Sequence, residues 1–159
     1  MSTTVAAAGQ TTGKNAGKIG IRRLETAAEV ADAFPLMHQL RPHLTDAAEL
    51  VTRWRRQTGD GYHLAGLWDD GRLVALAGYR FADNLIVGHH MYVDDLVTDA
   101  NARSGGYGRQ LMDWLKAETE AAGCTQLVLD TPLTNVLGHR FYYRNGLLAR
   151  ALRFYFPIG

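Results

Sequence analysis

The sequence has 159 residues, 47% of them hydrophobic, and this length and composition indicate one domain with a core of its own. The formal net charge of +1 gives no overall attraction for nucleic acid. The single cysteine, Cys124, excludes an internal disulfide framework and a CxxC metal site, and its apolar neighbours favour a packed thiol over a nucleophile. We therefore expect no metal, and the absence of disulfides favours a cytoplasmic location.

The chain also lacks the signals of a membrane or exported protein. No apolar run reaches the roughly 18 residues that span a bilayer. Residues 1–18 lack the apolar core of about 7 residues that a signal peptide needs, and we expect them to form a flexible tail before one domain over 19–159. A local basic cluster at residues 53–56 is interpreted as a solvated helix face rather than a nucleic-acid site. No membrane or nucleic-acid partner is predicted.

The first third of the domain is predicted to be one strand followed by two helices. Residues 19–24 have a strand pattern. Thr26 stands three residues before Glu29, which is the capping-box spacing, and predicts a helix to about residue 38. A proline then separates it from a second helix, which Thr45 is expected to cap and which runs to about residue 57.

Three strands are predicted next. Residues 62–68 and 72–81 form a hairpin, because Asp70-Gly71 between them is a favoured tight-turn pair. Residues 82–84 are predicted to be another turn. The third strand covers 89–98 and ends close to a glycine-rich stretch.

The last third alternates helices and strands. The clearest helix follows the glycine-rich stretch and ends at Gly123, with charged and apolar side chains on opposite faces. A short apolar strand is predicted at 126–130, a helix at 136–144, and a last strand at 151–156, where apolar residues alternate. This order of elements indicates an α/β or α+β layered fold.

The glycine-rich stretch, residues 103–108, reads RSGGYG and opens the clearest helix. A strand, a glycine turn and a helix form a general phosphate site, because the first-turn N–H groups of the helix point at an anion. The residues of this stretch do not match two known phosphate-binding motifs. A P-loop needs Lys-Ser/Thr after its glycines, and the dinucleotide-binding fingerprint needs a small residue at the position of Leu111. The remaining pattern is Arg103-x-x-Gly106-x-Gly108.

This pattern resembles the Gln/Arg-x-x-Gly-x-Gly/Ala signature of the GNAT acetyltransferase superfamily. A second match supports the resemblance: Asn135 is followed by Tyr142 seven residues later and by Gly146 eleven residues later, as in the Asn-x6-Tyr-x3-Gly-Phe pattern of the family. The resemblance implies a mixed, mostly antiparallel central sheet with a splayed parallel strand pair and helices on both faces. It also implies acetyl-CoA as co-substrate and N-acetyl transfer as the activity.

The resemblance assigns two binding segments for acetyl-CoA. The cofactor arm is expected to bond to the strand backbone at Leu96, Val97 and Thr98, like an added strand. The pyrophosphate is expected at the loop and the start of its helix. The residues implied there are Arg103, Ser104, Gly105, Gly106, Tyr107, Gly108 and Arg109. Asn135 is left with two alternatives, a bond to the cofactor arm or a helix cap.

The resemblance also suggests the catalytic groups. Tyr142 is the expected general acid for the departing sulfur, with a packed core tyrosine as the alternative. Asp94 and Asp95 are candidates for the base or for binding the amine. Alternation along a strand predicts that they point to opposite faces. His89 and His90 are further candidates for a proton relay through water.

The sequence leaves the acceptor open. The carboxylates of Asp94 and Asp95 favour an amine as the acceptor, and the acceptor is expected to be a small molecule. Arginines in the two N-terminal helices are candidates to bind an anionic part of this acceptor. A non-catalytic acyl-CoA-binding regulatory module is the alternative function, which would not need Tyr142. The apolar segment 152–158 either completes its own sheet or pairs across a homodimer.

Overall fold

A computed structural model describes residues 18–159, so all of the expected tail over residues 1–18 except Lys18 lies outside the described residues. Five strands form one sheet in the order β1-β2-β3-β4-β5. All neighbouring strands are antiparallel except β4 and β5, which are parallel. This confirms the mixed, mostly antiparallel sheet. The strands are β1 (Ile19–Arg23), β2 (Tyr62–Asp69), β3 (Arg72–Asn84), β4 (Gly88–Thr98) and β5 (Gln126–Leu129).

Helices cover both faces of the sheet. Leu64 and Leu76 pack with the first three helices in one hydrophobic cluster, whereas their strand neighbours Ala65 and Ala77 pack with Leu111 in a second cluster. Alternation along β2 and β3 therefore sends successive side chains into two cores. The helices are α1 (Ala27–Asp32), α2 (Phe34–Leu40), α3 (Ala47–Thr58), α4 (Tyr107–Ala121) and α5 (Val136–Arg144), with a 3₁₀ turn at Ala100–Ala102. Within residues 18–159, no helix combines the length and apolar character that crossing a membrane requires.

The N-terminal helices differ from the sequence prediction in two places. The capping box of Thr26 and Glu29 is confirmed. The single helix predicted to about residue 38 is instead divided at Ala33, because Pro35 cannot donate a hydrogen bond inside a continuous helix and starts α2 instead. The cap of α3 is Asp46 rather than Thr45, and its carboxylate accepts from the Glu49 N–H at 2.8 Å.

Of the two predicted hairpin turns, one is confirmed and the other is wrong. Asp70 and Gly71 have φ values of 47° and 79°, as a tight β2–β3 turn requires. The predicted turn at 82–84 is wrong, because β3 continues to Asn84. The Asn84 side-chain oxygen accepts the N–H groups of Ile86 and Val87, both at 2.9 Å, and closes the turn three residues later.

The last predicted strand, at 151–156, is not formed. Its alternating residues Leu152, Phe154 and Phe156 are 64%, 88% and 89% exposed. The alternation favours a strand with one buried face, but no surface within residues 18–159 covers that face. The segment does contact the end of β5, where Arg153 pairs with Asp130 at 2.9 Å.

Candidate active site

The parallel pair β4–β5 separates before β4 ends. Pairing begins at His90–Gln126 and stops at Val93–Leu129. Within the described part of the chain, residues 94–98 therefore have β3 on one side and no strand on the other. This leaves backbone donors and acceptors of β4 open over five residues, which is the geometry that accepts an extended ligand as an added strand.

A β-bulge in β4 brings two carboxylates to one place. Asp95 lies opposite Gly78 and Val93 lies opposite Tyr79, so Asp94 is an extra residue in the ladder. Both carboxylates line one cavity of about 280 Å³. The expectation that they point to opposite faces is therefore wrong, because a bulge interrupts simple alternation. The cavity is lined by Arg41, Gln57, Tyr92, Asp94, Asp95 and Arg153.

Each cavity carboxylate is paired with an arginine. Asp95 accepts from Arg41 Nε at 2.8 Å and from Nη2 at 2.7 Å, and only 12% of its side chain is exposed. Arg41 also donates to the backbone carbonyl of Asp94 at 2.8 Å, so one side chain from the end of α2 holds the bulge from two sides. The Asp94 carboxylate accepts from Arg80 Nε at 2.9 Å and Nη2 at 3.2 Å.

A buried tyrosine completes the environment of Asp95. The Tyr62 hydroxyl donates to Asp95 Oδ2 at 2.8 Å, and burial together with this carboxylate raises the pKa of Tyr62 well above its usual value. Gly78 makes room for the pair, because a Cβ built there would lie 2.0 Å from the Tyr62 hydroxyl. The spacing of Tyr62, Gly78 and Asp95 in the sequence gave no sign of this cluster, since three separate strands supply it.

Asp99, which follows β4 directly, organises the entry into the glycine loop. Its carboxylate accepts from the N–H of Asn101 at 3.1 Å, from the side chain of Gln39 at 3.2 Å and from Arg72. These bonds, led by the Asn101 backbone, lower the pKa of Asp99. Asp99 was not among the predicted site residues, although an Asp before a short helix is a recognisable cap signal.

The glycine loop leaves the start of α4 open. Gly106 occupies the N-cap position with φ 77°, and no side chain among the described residues caps the helix there. Ser104 also has a positive φ of 73°. The first-turn N–H groups of α4 thus face outward without a side-chain oxygen, which suits an anion.

Gly108 marks the point where three parts of the chain meet. A Cβ built on it would lie 3.2 Å from Thr98 Oγ1, at the end of β4, and 3.3 Å from the Phe141 ring on α5. The tight packing places the last residue of β4, the first turn of α4 and the middle of α5 together. Tyr107 fixes the same turn from the other side, since its hydroxyl donates to Asp69 and this bond raises the pKa of Tyr107.

Helix α5 carries the predicted tyrosine and a side-chain cap. Asn135 accepts from the Gly138 N–H at 3.0 Å and donates to Thr131 Oγ1 at 2.9 Å, so it acts as the cap of α5 in this structure. A Cβ at Gly138 would lie 2.2 Å from the Asn135 amide nitrogen, which explains a glycine inside this helix. Burial raises the pKa of Tyr142, whose hydroxyl is a candidate proton donor that stays neutral at physiological pH.

The remaining candidates lie outside this cluster. His90 is five residues before Asp95 along β4, about 16 Å at 3.3 Å per residue, and its Nδ1 contacts the Gly88 carbonyl at 2.8 Å. His89 contacts Asp83 at the same distant end of the strand. Burial raises the pKa of Cys124, which keeps it a thiol. Across residues 18–159, no three His, Cys, Asp or Glu side chains are grouped to hold a metal ion.

The family model described as "Acetyltransferase (GNAT) family" matches residues 24–147, which include the glycine loop, α5 and every residue lining the cavity except Arg153. The chain belongs to the GNAT acetyltransferase family. A curated relative, the "Uncharacterized N-acetyltransferase YhdJ" of Bacillus subtilis (strain 168), is 31% identical over 124 residues, covering 78% of this chain and 87% of that protein. The chain is thus a GNAT N-acetyltransferase, and the family uses acetyl-CoA.

Solved structures agree on the fold. The aminoglycoside N-acetyltransferase AAC(6')-Iy in complex with CoA superposes with a TM-score of 0.78 at 16% identity, covering 89% of this chain and 95% of that one. The ribosomal-protein-alanine N-acetyltransferase from Brucella melitensis biovar Abortus 2308 gives 0.77 at 19% identity, covering 89% and 100%. At these identities the likeness extends to the fold alone.

Proposed function

We propose that this N-acetyltransferase transfers the acetyl group of acetyl-CoA to a primary amine of a small polar molecule. The observation that carries the proposal is the meeting of Thr98, Gly108 and Phe141. It joins the open edge of β4 to the uncapped start of α4 and to the helix that bears Tyr142. An extended thioester along β4 would thereby have its phosphates at α4 and its reacting end near the bulge.

The acetyl-CoA site comprises the two segments that the sequence suggested. The backbone of Leu96, Val97 and Thr98 bonds the extended arm, and the N–H groups from Gly106 to Arg109 hold the pyrophosphate. The exposed side chains of Arg103 and Arg109 add positive charge, and Ser104 adds a hydroxyl donor. Asn135 contributes by capping α5 rather than by touching the cofactor.

Transfer proceeds by direct attack of the amine on the thioester carbonyl. The new C–N bond forms, the C–S bond breaks, and the sulfur leaves with the proton of the Tyr142 hydroxyl. The amine loses one proton to water in the cavity, and the tyrosinate is then reprotonated from water. A raised pKa keeps Tyr142 in the proton-bearing form that this step requires.

Asp94 and Asp95 bind and orient the amine by their charge. Both are also paired with arginines, which offset part of this charge and hold the carboxylates in place for the amine. Arg153 and Arg41 line the same cavity and offer sites for an anionic group. We therefore propose an acceptor that carries an amine and an anionic or strongly polar group. We place this reaction in the cytoplasm, because the chain has one cysteine and so no internal disulfide.

Calorimetric titration with acetyl-CoA tests the cofactor site through a matched glycine pair. Gly106 and Gly123 stand at opposite ends of α4 with φ values of 77° and 68°, and a Cβ at either meets no atom within 4 Å. Gly106→Ala and Gly123→Ala therefore impose the same backbone strain, but only the first puts a methyl group at the proposed phosphate site. We expect Gly106→Ala to weaken binding about tenfold or more relative to Gly123→Ala. Equal affinities would refute the phosphate site.

Tyr142→Phe separates the enzyme from the alternative of a regulatory acyl-CoA-binding module. We expect this variant to bind acetyl-CoA with unchanged affinity and to lose acetyl transfer by about 10²-fold or more, measured as CoA release over a panel of small amines. Full activity in the variant would refute Tyr142 as the acid. Tight binding of acetyl-CoA by the unmodified protein with no transfer to any amine would instead favour the regulatory module.

A further inference from the structure

The open edge of β4 starts at the bulge and ends at the entry into the glycine loop. Pairing with β5 stops at Val93, and the extra residue Asp94 follows directly. A bulge bends its strand, so the bend lies where β4 and β5 part. The open edge then runs to Thr98, and Asp99 leads into the 3₁₀ turn and the loop. The contacts that fix these two ends therefore set the shape of the proposed cofactor site.

Arg41 fixes the first end of this edge. The extra residue of a bulge is left out of the strand ladder, so its backbone carbonyl needs a partner elsewhere. Arg41 Nη2 donates to the Asp94 carbonyl at 2.8 Å, and Nε of the same guanidinium donates to the Asp95 carboxylate at 2.8 Å. One planar guanidinium therefore holds two successive residues of the bulge, because its donors point in fixed directions.

Gln39 fixes the second end of the edge. Its side-chain nitrogen donates to the Asp99 carboxylate at 3.2 Å, and its side-chain oxygen accepts from the Ala100 N–H at 2.9 Å. One amide group thus bonds to both residues that follow Thr98. Gln39 does not line the cavity beside the bulge, whereas Arg41 does. A change at Gln39 therefore acts on the cofactor edge without removing a cavity side chain.

Both side chains come from one short stretch at the end of α2. Gln39 lies in the last turn of the helix and Arg41 is its C-cap. The helix itself is fixed to the sheet, because Leu36 and Met37 are buried in one hydrophobic cluster with Leu76 of β3. A helix end that is packed in this way gives the two side chains a fixed starting point, from which they reach the two ends of the open edge.

We propose that Arg41 and Gln39 are positioning residues for acetyl-CoA. They hold the two ends of the stretch 96–98, so that its backbone groups are already ordered when the extended arm of the cofactor binds. This inference rests on the proposed function, since it concerns the edge along which the thioester lies. Neither side chain has to touch the cofactor. Without either of them the edge must be ordered during binding, which lowers the affinity.

Calorimetric titration with acetyl-CoA in the absence of amine tests Arg41 against a matched arginine. The side chains of Arg41 and Arg53 are 41% and 44% exposed, and each pairs with one carboxylate, at 2.7 and 2.8 Å. Arg41→Met and Arg53→Met therefore remove the same charge and the same kind of ion pair, but only Arg41 bonds to β4. We expect Arg41→Met to weaken binding about tenfold and Arg53→Met to leave the Kd unchanged.

Arg41→Lys separates the fork of the guanidinium from its charge. Lysine keeps the positive charge but cannot hold both residues of the bulge in the same geometry, so it should restore only part of the affinity lost in Arg41→Met. Full recovery of the acetyl-CoA affinity by Arg41→Lys would show that charge alone suffices, and it would overturn the positioning role of Arg41.

Gln39→Met tests the second end with a change that leaves every charge in place. Methionine has a similar length but makes neither hydrogen bond. In CoA-release assays with an amine from the panel, we expect the KM for acetyl-CoA to rise about fivefold, while kcat and the KM for the amine stay unchanged. A general weakening of the fold would instead lower kcat and leave both KM values unchanged, and that result would overturn the proposal.

The outcomes of the titration separate this inference from the proposed function. If the unmodified protein does not bind acetyl-CoA, the cofactor site and the positioning role are both overturned. If it binds acetyl-CoA and either Arg41→Met or Gln39→Met binds as tightly as Arg53→Met, the positioning role alone is overturned and the cofactor site stands.

Discussion

Replacing Gly78 by alanine tests how the cavity beside the β4 bulge is built. The added Cβ would lie 2.0 Å from the Tyr62 hydroxyl oxygen, 2.6 Å from its Cζ and 2.7 Å from Asp95 Oδ2. These three atoms belong to the buried hydrogen bond between Tyr62 and Asp95. The methyl group and this hydrogen bond therefore cannot occupy the site together, and Tyr62 must move.

The expected destabilisation has two parts. Overpacking a filled core costs about 1–3 kcal/mol. Losing a hydrogen bond to a charged group costs about 1.5–3 kcal/mol, because Asp95 is only 12% exposed and water replaces the hydroxyl poorly. We expect Gly78→Ala to lower the free energy of unfolding by about 3–5 kcal/mol in total. It should also raise the KM for the amine, because Asp95 lines the cavity in which we propose that the acceptor binds.

Urea unfolding measures this loss, with Gly20→Ala as the matched control. Gly20 also lies in a strand, and a Cβ there meets no atom within 4 Å, so its replacement should be neutral or gain about 0.5–1 kcal/mol. Tyr62→Phe and the double variant Tyr62→Phe/Gly78→Ala complete a double-mutant cycle. Because the hydrogen bond between Tyr62 and Asp95 can be lost only once, the double variant should lose at least about 1.5 kcal/mol less unfolding free energy than the sum of the two single losses. Additive costs, or a Gly78→Ala loss below about 1 kcal/mol, would refute the packing argument.

Three further predictions concern α5, Tyr142 and α1. Gly138→Ala should leave the free energy of unfolding nearly unchanged, because alanine gains about 1 kcal/mol of helix propensity and this offsets the loss of the Asn135 cap that its Cβ would displace. Asn135→Ala loses the same cap without that gain, and urea unfolding should show a loss of about 1 kcal/mol. Tyr142 is the proposed proton donor, and burial raises its pKa, so kcat should not fall on the alkaline side until above about pH 10. A fall in kcat centred near pH 8 would contradict the proposed role. Backbone and Arg22 hydrogen bonds lower the pKa of Glu29 from 4.5 to about 2. The stability that Glu29 contributes should therefore be present above pH 4.5 and be lost as the pH falls towards 2. Thermal unfolding of Glu29→Gln should lack this part of the pH dependence.

Local signals were sufficient for most elements of the fold. The helix bounds 136–144 and the Asp70-Gly71 turn could be predicted because the determining residues are neighbours in the chain. The last strand, 151–156, shows the limit of such signals. Its alternation specifies which residues share a face, but whether that face is covered depends on a partner surface that a local pattern does not contain.

The bulge in β4 could not be predicted for the same reason. Nothing in the stretch around Asp94 and Asp95 marks an extra residue, because a bulge is a mismatch between two strands. It depends on Gly78, which lies opposite, and on Arg41, which reaches from α2 to the Asp94 carbonyl. The structure places the candidate residues Asp94 and Asp95 in one cavity, whereas their expected orientation to opposite faces is wrong, and their role stays a prediction.

The three glycines of RSGGYG have three separate physical reasons. A Cβ at Gly105 would lie 2.5 Å from the ring of Tyr107, which must stay in place to reach Asp69. Gly106 needs its positive φ to begin α4 without a side-chain cap. Gly108 lies against Thr98 and the α5 ring of Phe141. A simple helix cap would need only the second of these. Gly105 leaves room for Tyr107 to tie the start of α4 to β2, and Gly108 lets the same turn lie close to β4 and α5, where we propose the binding site.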